Sequence, residues 1–190
     1  MRFSLRAVLL ALSASAALTG CSTAMFRGAD AGVTITDDRR TPGTYVTDED
    51  ISIRTGRLFS EQAPGGAHAT FSSFNRRVLI TGQVPSEEVR KSAASIAHMH
   101  PDARDVVNEL VVGETTSLYR RTADSYVTTK VKTRLVDDTR VSANHVKVIT
   151  EDGVVYLMGL VKREEGQVAA EIAARTSGVA RVIKVFEYMD

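Results

Sequence analysis

The chain has 190 residues, with 24 lysines and arginines against 23 aspartates and glutamates, and nothing in a net charge of +1 points to a nucleic-acid partner. A single cysteine excludes a disulfide within the chain, and the absence of tryptophan leaves few aromatic platforms for a carbohydrate. The length suits one medium domain or two small ones.

Arg2 and Arg6 precede an apolar run from Ala7 to Leu18. A run of about a dozen residues is too short to cross a bilayer and fits the core of a signal peptide. It ends in Leu18-Thr19-Gly20-Cys21, which resembles the lipobox of bacterial lipoprotein signals. The resemblance implies a signal peptide over residues 1–20 and cleavage before Cys21. It also implies diacylglycerol on the Cys21 sulfur and an acyl chain, such as palmitate, on the new amino group. Ser22 stands where an aspartate retains such proteins in the inner membrane, so the expected location is the bacterial outer membrane, lipid-anchored on its periplasmic side. A thiol consumed by lipid can serve neither as a nucleophile nor as a metal ligand. Taking the first 20 residues from 190 leaves 170, and losing Arg2 and Arg6 brings the balance to 22 basic against 23 acidic residues.

Residues 21–44 form the lipidated N-terminus and a polar tether, rich in Thr, Asp, Gly and Arg, with Pro42-Gly43 as a turn signal. As a flexible coil, some 23 residues would span roughly 25–30 Å. Within them Val33-Thr34-Ile35-Thr36 alternates like a short strand that could dock on the body.

Beyond the tether the chain repeats itself. Arg77-Val78-Leu79-Ile80-Thr81-Gly82 matches Val154-Val155-Tyr156-Leu157-Met158-Gly159 at an offset of 77, each a buried strand closing on a glycine. Ile96-Ala97 and Ile172-Ala173 correspond at an offset of 76, in alanine-rich helical stretches. This is a domain duplication, with units too long for a solenoid. The first copy, 45–113, opens with a helix near Asp48 to Ser60 and ends in a strand from Asp105 to Val112. The second, 118–190, has a helix capped at Asp124 or Ser125 and running to Val136, with Val127, Val131 and Leu135 as its apolar stripe. His145 to Thr150 and Val154 to Met158 then form a hairpin about Glu151-Asp152-Gly153. A helix from Arg163 to Arg175 stops at Ser177-Gly178, and Arg181 to Tyr188 is the last strand. Each copy reads as an α+β unit, αββαβ, with a three-stranded mixed sheet covered by two helices. Units of about 70 residues lie near the lower limit for an independent core, so the copies are expected to pack together or to lean on the tether.

Several stretches resemble the BON-domain family when taken together: residues 37–41 (Asp-Asp-Arg-Arg-Thr), 78–83 (Val-Leu-Ile-Thr-Gly-Gln) and 155–161 (Val-Tyr-Leu-Met-Gly-Leu-Val). Asn144 to Val148, Ile172 to Arg175 and Ser177-Gly178-Val179 belong with them. Behind a lipobox, two such units resemble the dual-BON outer-membrane lipoproteins. That resemblance implies tandem αββαβ domains, no cofactor, binding of anionic phospholipid by the second domain and support of outer-membrane integrity.

Residues 118–134 hold Arg120, Arg121, Lys130, Lys132 and Arg134 against the one acid Asp124, whereas residues 45–113 carry 7 basic and 9 acidic groups. With the apolar stripe turned inward, Tyr126, Lys130, Thr133 and Arg134 fall on the exposed side. An aromatic ring beside cations suits a membrane interface. With the resemblance added, the expected phospholipid contacts are Tyr126, Lys130, Val131, Thr133 and Arg134.

No catalytic constellation is legible. His98 and His100 are two apart and diverge on a helix, and Asp137-Asp138 and Glu164-Glu165 sit in turns or helix starts. The expected protein is not an enzyme and takes no metal. The alternative expectation is a protein-interaction module assisting outer-membrane protein assembly or envelope-stress quality control; a carbohydrate-binding domain fits less well.

Overall fold

Thr41 stops the incoming chain and starts the first helix: its Oγ1 accepts from the Thr44 N–H at 3.2 Å, and Pro42, whose ring presets a helical φ, follows. The structure, a computed structural model, describes residues 38–189. The signal peptide, Cys21 and the strand-like Val33–Thr36 therefore lie outside the described residues. Helix α1 spans Pro42–Gln62, six residues earlier than the sequence suggested, so residues 42–44, expected in the tether, are helical. The Pro42-Gly43 pair that resembled a turn is the start of a capped helix.

The first copy continues with β1 (His68–Phe74), β2 (Arg77–Val84), helix α2 (Glu87–Met99, capped by Ser86), β3 (Asp105–Asn108) and β4 (Val111–Val112). β1 and β2 are antiparallel, and β3 and β4 each run parallel to β2. The last strand, expected unbroken from Asp105 to Val112, is interrupted at Glu109-Leu110, where Leu110 turns into the core. This sheet therefore has four strands where three were expected. The second copy comprises α3 (Leu118–Asp137), a single 3-10 turn (Ala143–His145), β5 (Val146–Glu151), β6 (Val154–Val161), α4 (Arg163–Ala174) and β7 (Arg181–Tyr188). Its sheet order is β5-β6-β7, with β5 antiparallel and β7 parallel to β6.

Helix α3 is capped by Ser117, not by Asp124 or Ser125. Asp124 is buried inside the helix, where its carboxylate accepts from the N–H groups of Asp152 (2.8 Å) and Gly153 (2.9 Å) at the β5–β6 turn. Its counterpart 76 residues earlier, Asp48, accepts from the N–H groups of Asn75 (2.8 Å) and Arg76 (2.7 Å) at the β1–β2 turn. Both turns place two residues at positive φ: Asn75 and Arg76 in one, Asp152 and Gly153 in the other. Each leading helix thus pins the hairpin that follows it through one buried carboxylate. The repeated strand glycines have a common cause as well. A Cβ at Gly82 would lie 2.1 Å from the His68 carbonyl oxygen, and one at Gly159 would lie 2.3 Å from that of His145.

Alternation along the central strands divides the interior into three cores. Val78, Ile80 and Val84 face α1 and α2 with Ile51, Phe59 and Ile96. Val155, Leu157 and Val161 face α3 and α4 with Val127, Val131, Leu135 and Ala169. The opposite faces of the two sheets meet, and Phe74 and Leu79 of the first copy pack with Tyr156, Met158 and Val185 of the second. Each such side chain contributes roughly 1.5–3 kcal/mol on burial. Polar pairs rim this seam: Arg77 Nη1 donates to the Phe186 carbonyl (2.9 Å), Lys147 Nζ to the Ser73 carbonyl (3.1 Å) and Gln83 Nε2 to Glu151 Oε1 (2.9 Å). Asn75 and Arg104 both donate to the Glu187 carboxylate. Burial holds the Lys147 ammonium below the usual lysine range, with the nearby Arg40 charge acting in the same direction.

The residues entering the body staple the two copies. Arg39 makes a two-pronged pair with Glu165 (2.7 Å for both bonds) and donates to the Leu160 carbonyl. Arg40 lies between Asp38 and Asp48, 3.9 Å over the Phe74 ring. The Arg39 bonds hold the Glu165 carboxyl down at about 2.

Asp48→Ala should lower stability by about 2–4 kcal/mol, because it strands two turn N–H groups and half-unpairs a buried guanidinium. Asp124→Ala, which frees only the turn, should lose less; urea denaturation midpoints compare the two. Arg39→Ala should cost about 1–2 kcal/mol at neutral pH. Because Glu165 titrates lower when folded than its ordinary 4.5, that contribution is complete above pH 4.5. It fades as pH falls toward 2, so the melting temperatures of wild type and variant should converge over that window.

Candidate functional site

Helix α3 turns Val127, Val131 and Leu135 into the core and leaves the opposite flank to solvent. Tyr126 stands on that flank at 66% exposure. The Lys130 ammonium lies 4.8 Å from the Tyr126 ring centroid and donates to the carbonyl and the hydroxyl of Ser177. Arg134 Nη1 donates to the Arg175 carbonyl at 2.8 Å, and the exposed Thr133 hydroxyl turns back to the Thr129 carbonyl. Tyr126, Lys130, Thr133 and Arg134 thus share one surface. Val131, expected among the contacts, does not join them: it is 0% exposed, one helical turn from Val127 and Leu135 in the core stripe.

The cations are committed more closely than their count suggests. The last turn of α4 contains no basic residue of its own, and its carbonyls carry the negative end of the helix dipole. Lys130 and Arg134 reach across from α3 to the residues just beyond it. Arg120 pairs with the Asp152 carboxylate, and Arg121 donates to the Thr116 carbonyl. These bonds fix the charges in place without exhausting them. An ammonium has three donors and a guanidinium five, so both keep hydrogens for an anion at the surface.

Arg175, Ser177 and Gly178 form the rim against which the cations lie, a role that neither the helix-end reading of these residues nor their place in the family pattern indicates. Gly178 sits at φ 96, and a Cβ there would stand 2.9 Å from Val127 Cγ2 and 3.6 Å from Lys130 Nζ. The turn is therefore pressed against α3. No local signal couples positions more than forty residues apart; only the side-by-side placement of the two helices does.

The first copy serves as an internal comparison. Its buried stripe of Asp48, Ile51, Thr55 and Phe59 aligns at an offset of 76 with Asp124, Val127, Val131 and Leu135. In that register Asp50 stands for Tyr126, Arg54 for Lys130 and Arg57 for Thr133. Arg54 donates to Asp50 at 2.6 Å and Arg57 to Glu61 at 2.8 Å, so helix α1 neutralises itself along its own surface. It presents no aromatic ring at the equivalent place.

Among the described residues, no group of three His, Cys, Asp or Glu side chains is placed to hold a metal ion, and no helix is long and apolar enough to cross a membrane. The acidic pairs have structural work: Asp138 is held at about 2 by its bonds from Arg140, and Glu165 closes the N-terminus of α4 through the Lys162 N–H at 2.7 Å.

The BON domain family model matches residues 48–114 and 123–190, which cover the two units apart from the opening turns of α1 and α3. The chain is 37% identical over 188 residues to the outer membrane lipoprotein DolP of Haemophilus influenzae, covering 98% of this chain and 97% of that protein. It is 34% identical over 154 residues to a 21 kDa hemolysin of Actinobacillus pleuropneumoniae, covering 80% and 79% of the two chains. Osmotically-inducible protein Y of Escherichia coli is 25% identical over 185 residues, covering 93% and 92%. With two BON domains packed as one body and an outer membrane lipoprotein matched along nearly its whole length, the chain belongs to the BON-domain family as a lipid-anchored outer-membrane protein.

Proposed function

We propose that the protein, anchored through Cys21, lays helix α3 on anionic phospholipid at the periplasmic surface of the outer membrane and supports the integrity of that membrane without catalysing a reaction. The observation that carries this reading is the asymmetry between the copies. The second presents an exposed Tyr126 with Lys130 stacked beside it and Arg134 one turn on, where the first presents the closed pair Asp50–Arg54. An aromatic ring at headgroup level with cations reaching lipid phosphate matches the chemistry of an anionic bilayer surface. Each cation contributes on the order of 1 kcal/mol there. Tethering makes such a weak site effective, because the membrane is held at high local concentration.

The exposed short strand β4, with Val111 at 59% and Val112 at 41% exposure, favours a second reading. It offers an open edge to a strand of an outer-membrane assembly protein. A photo-crosslinker at Val112 that captures one dominant envelope protein would support it.

The lipid reading is checked by co-sedimentation of the chain lacking residues 1–21 with vesicles. It should bind vesicles containing phosphatidylglycerol and not purely zwitterionic ones. Lys130→Glu should weaken binding roughly 10–30-fold, since it removes one attraction and adds one repulsion. Asp50→Tyr, which opens the pair on α1, should strengthen it. Equal binding to both vesicle types, or no loss on Lys130→Glu, contradicts the reading.

A further inference from the structure

We infer that the first turn of α3 is a second membrane contact, at which Leu118 and Tyr119 enter the headgroup layer beside Tyr126; this rests on the reading of α3 as the lipid-facing helix. Leu118 is 76% exposed and Tyr119 84%, more than any other large apolar side chain among the described residues. Ser117 caps the helix immediately before them, so the two side chains stand on an ordered turn. Tyr119 and Tyr126 are seven residues apart, two helical turns, so both rings lie along one flank about 10 Å from each other. Lys130 and Thr133 continue that flank.

The chemistry around the pair is interfacial. Arg120 and Arg121 follow directly, and no acidic residue occupies the first turn. Two of the nearby carboxylates are already engaged, Asp152 by Arg120 and Asp124 by the hairpin turn, while Glu114 lies exposed in the loop before the helix. Apolar side chains followed by long cations place the former at the boundary of headgroups and acyl chains and the latter at phosphate level. A membrane is also the partner always within reach. Asp38 lies seventeen positions after Cys21, a span of at most roughly 60 Å even when fully extended. The first copy has Pro42 and Gly43 at the corresponding positions and offers nothing to insert.

Two contacts along one helix do more than one. A single ring at Tyr126 would let the body swivel, whereas a line from Tyr119 to Tyr126 lays the axis of α3 along the membrane surface. Because the two sheets are packed together, that orientation is imposed on both copies.

The chain contains no tryptophan, so Tyr119→Trp, Tyr126→Trp and Ile53→Trp each create a sole tryptophan, excited selectively over the tyrosines. Ile53, 59% exposed on α1, serves as the control. The mature lipidated protein is reconstituted in phosphatidylethanolamine–phosphatidylglycerol vesicles, with and without brominated acyl chains. The expected result is blue-shifted emission and bromine quenching for Tyr119→Trp and Tyr126→Trp, and neither for Ile53→Trp. Solvent-like emission from Tyr119→Trp beside a quenched Tyr126→Trp overturns this inference and leaves the lipid reading of α3 standing. Solvent-like emission from both overturns the two together. A blue shift of Tyr119→Trp that appears without vesicles and grows with protein concentration also overturns it, by showing a contact between copies.

Discussion

Phe74 and Leu79 meeting Tyr156, Met158 and Val185 across two sheet faces is the contact on which the rest of the molecule depends. Each αββαβ unit covers one face of its sheet with helices and leaves the other apolar. Alone, a unit of this size would expose that second face and fall short of a sufficient core. Back to back, the copies bury each other's open faces, and both helix pairs are forced outward. The charges around the seam then have defined places. Arg39 holds the second copy through Glu165, Arg40 the first through Asp48, and Gln83 ties the sheets to the linker by accepting from Thr116. The segment leading in from the anchor thus ends at the junction between the copies.

Duplication supplies the scaffold, and the exposed positions of the two copies have diverged on it. Buried positions of the leading helices keep one plan, an aspartate that pins a hairpin and three side chains for the core. The threonine Thr55 stands for Val131 and bonds the Ile51 carbonyl within its own helix, so even a polar member of the stripe is satisfied. Outer positions are free to differ. On α1 they pair with each other at i, i+4; on α3 the cations are drawn to the C-terminal turn of α4, which leaves Tyr126 open. A basic helix face is commonly only a solvated face; the exposed ring with an ordered ammonium beside it is what sets this one apart and motivates the proposed lipid contact.

The hairpins, their glycines and the repeat were legible because strand alternation and tight turns are local properties of sequence. Helix beginnings were not. Pro42-Gly43 signals a turn to a reader who does not see Thr41 capping it, and Asp124 has the composition of a cap while its carboxylate serves a hairpin 28 residues away. The seam was hidden for another reason. The β6 run Val154 to Met158 is apolar on both faces, and periodicity cannot tell helix-side Leu157 from seam-side Met158. The flank of Tyr126, Lys130, Thr133 and Arg134 could be read from helical spacing. The same spacing places Val131 in the core stripe, so helical spacing does not support its place among the expected contacts. The rim at Arg175 and Ser177 required the tertiary fold. Arg39 and Arg40 looked like part of a polar tether because their partners lie in later elements, one of them in the other copy.

Differential scanning calorimetry of the chain from Ser22 onward tests most directly whether the two copies are one body. A single transition with equal calorimetric and van't Hoff enthalpies is expected. Leu79→Ala, a change in the first copy at the seam, should lower that one transition as a whole. Two resolved transitions, or a Leu79→Ala protein in which only half of the unfolding heat moves, would contradict a single body.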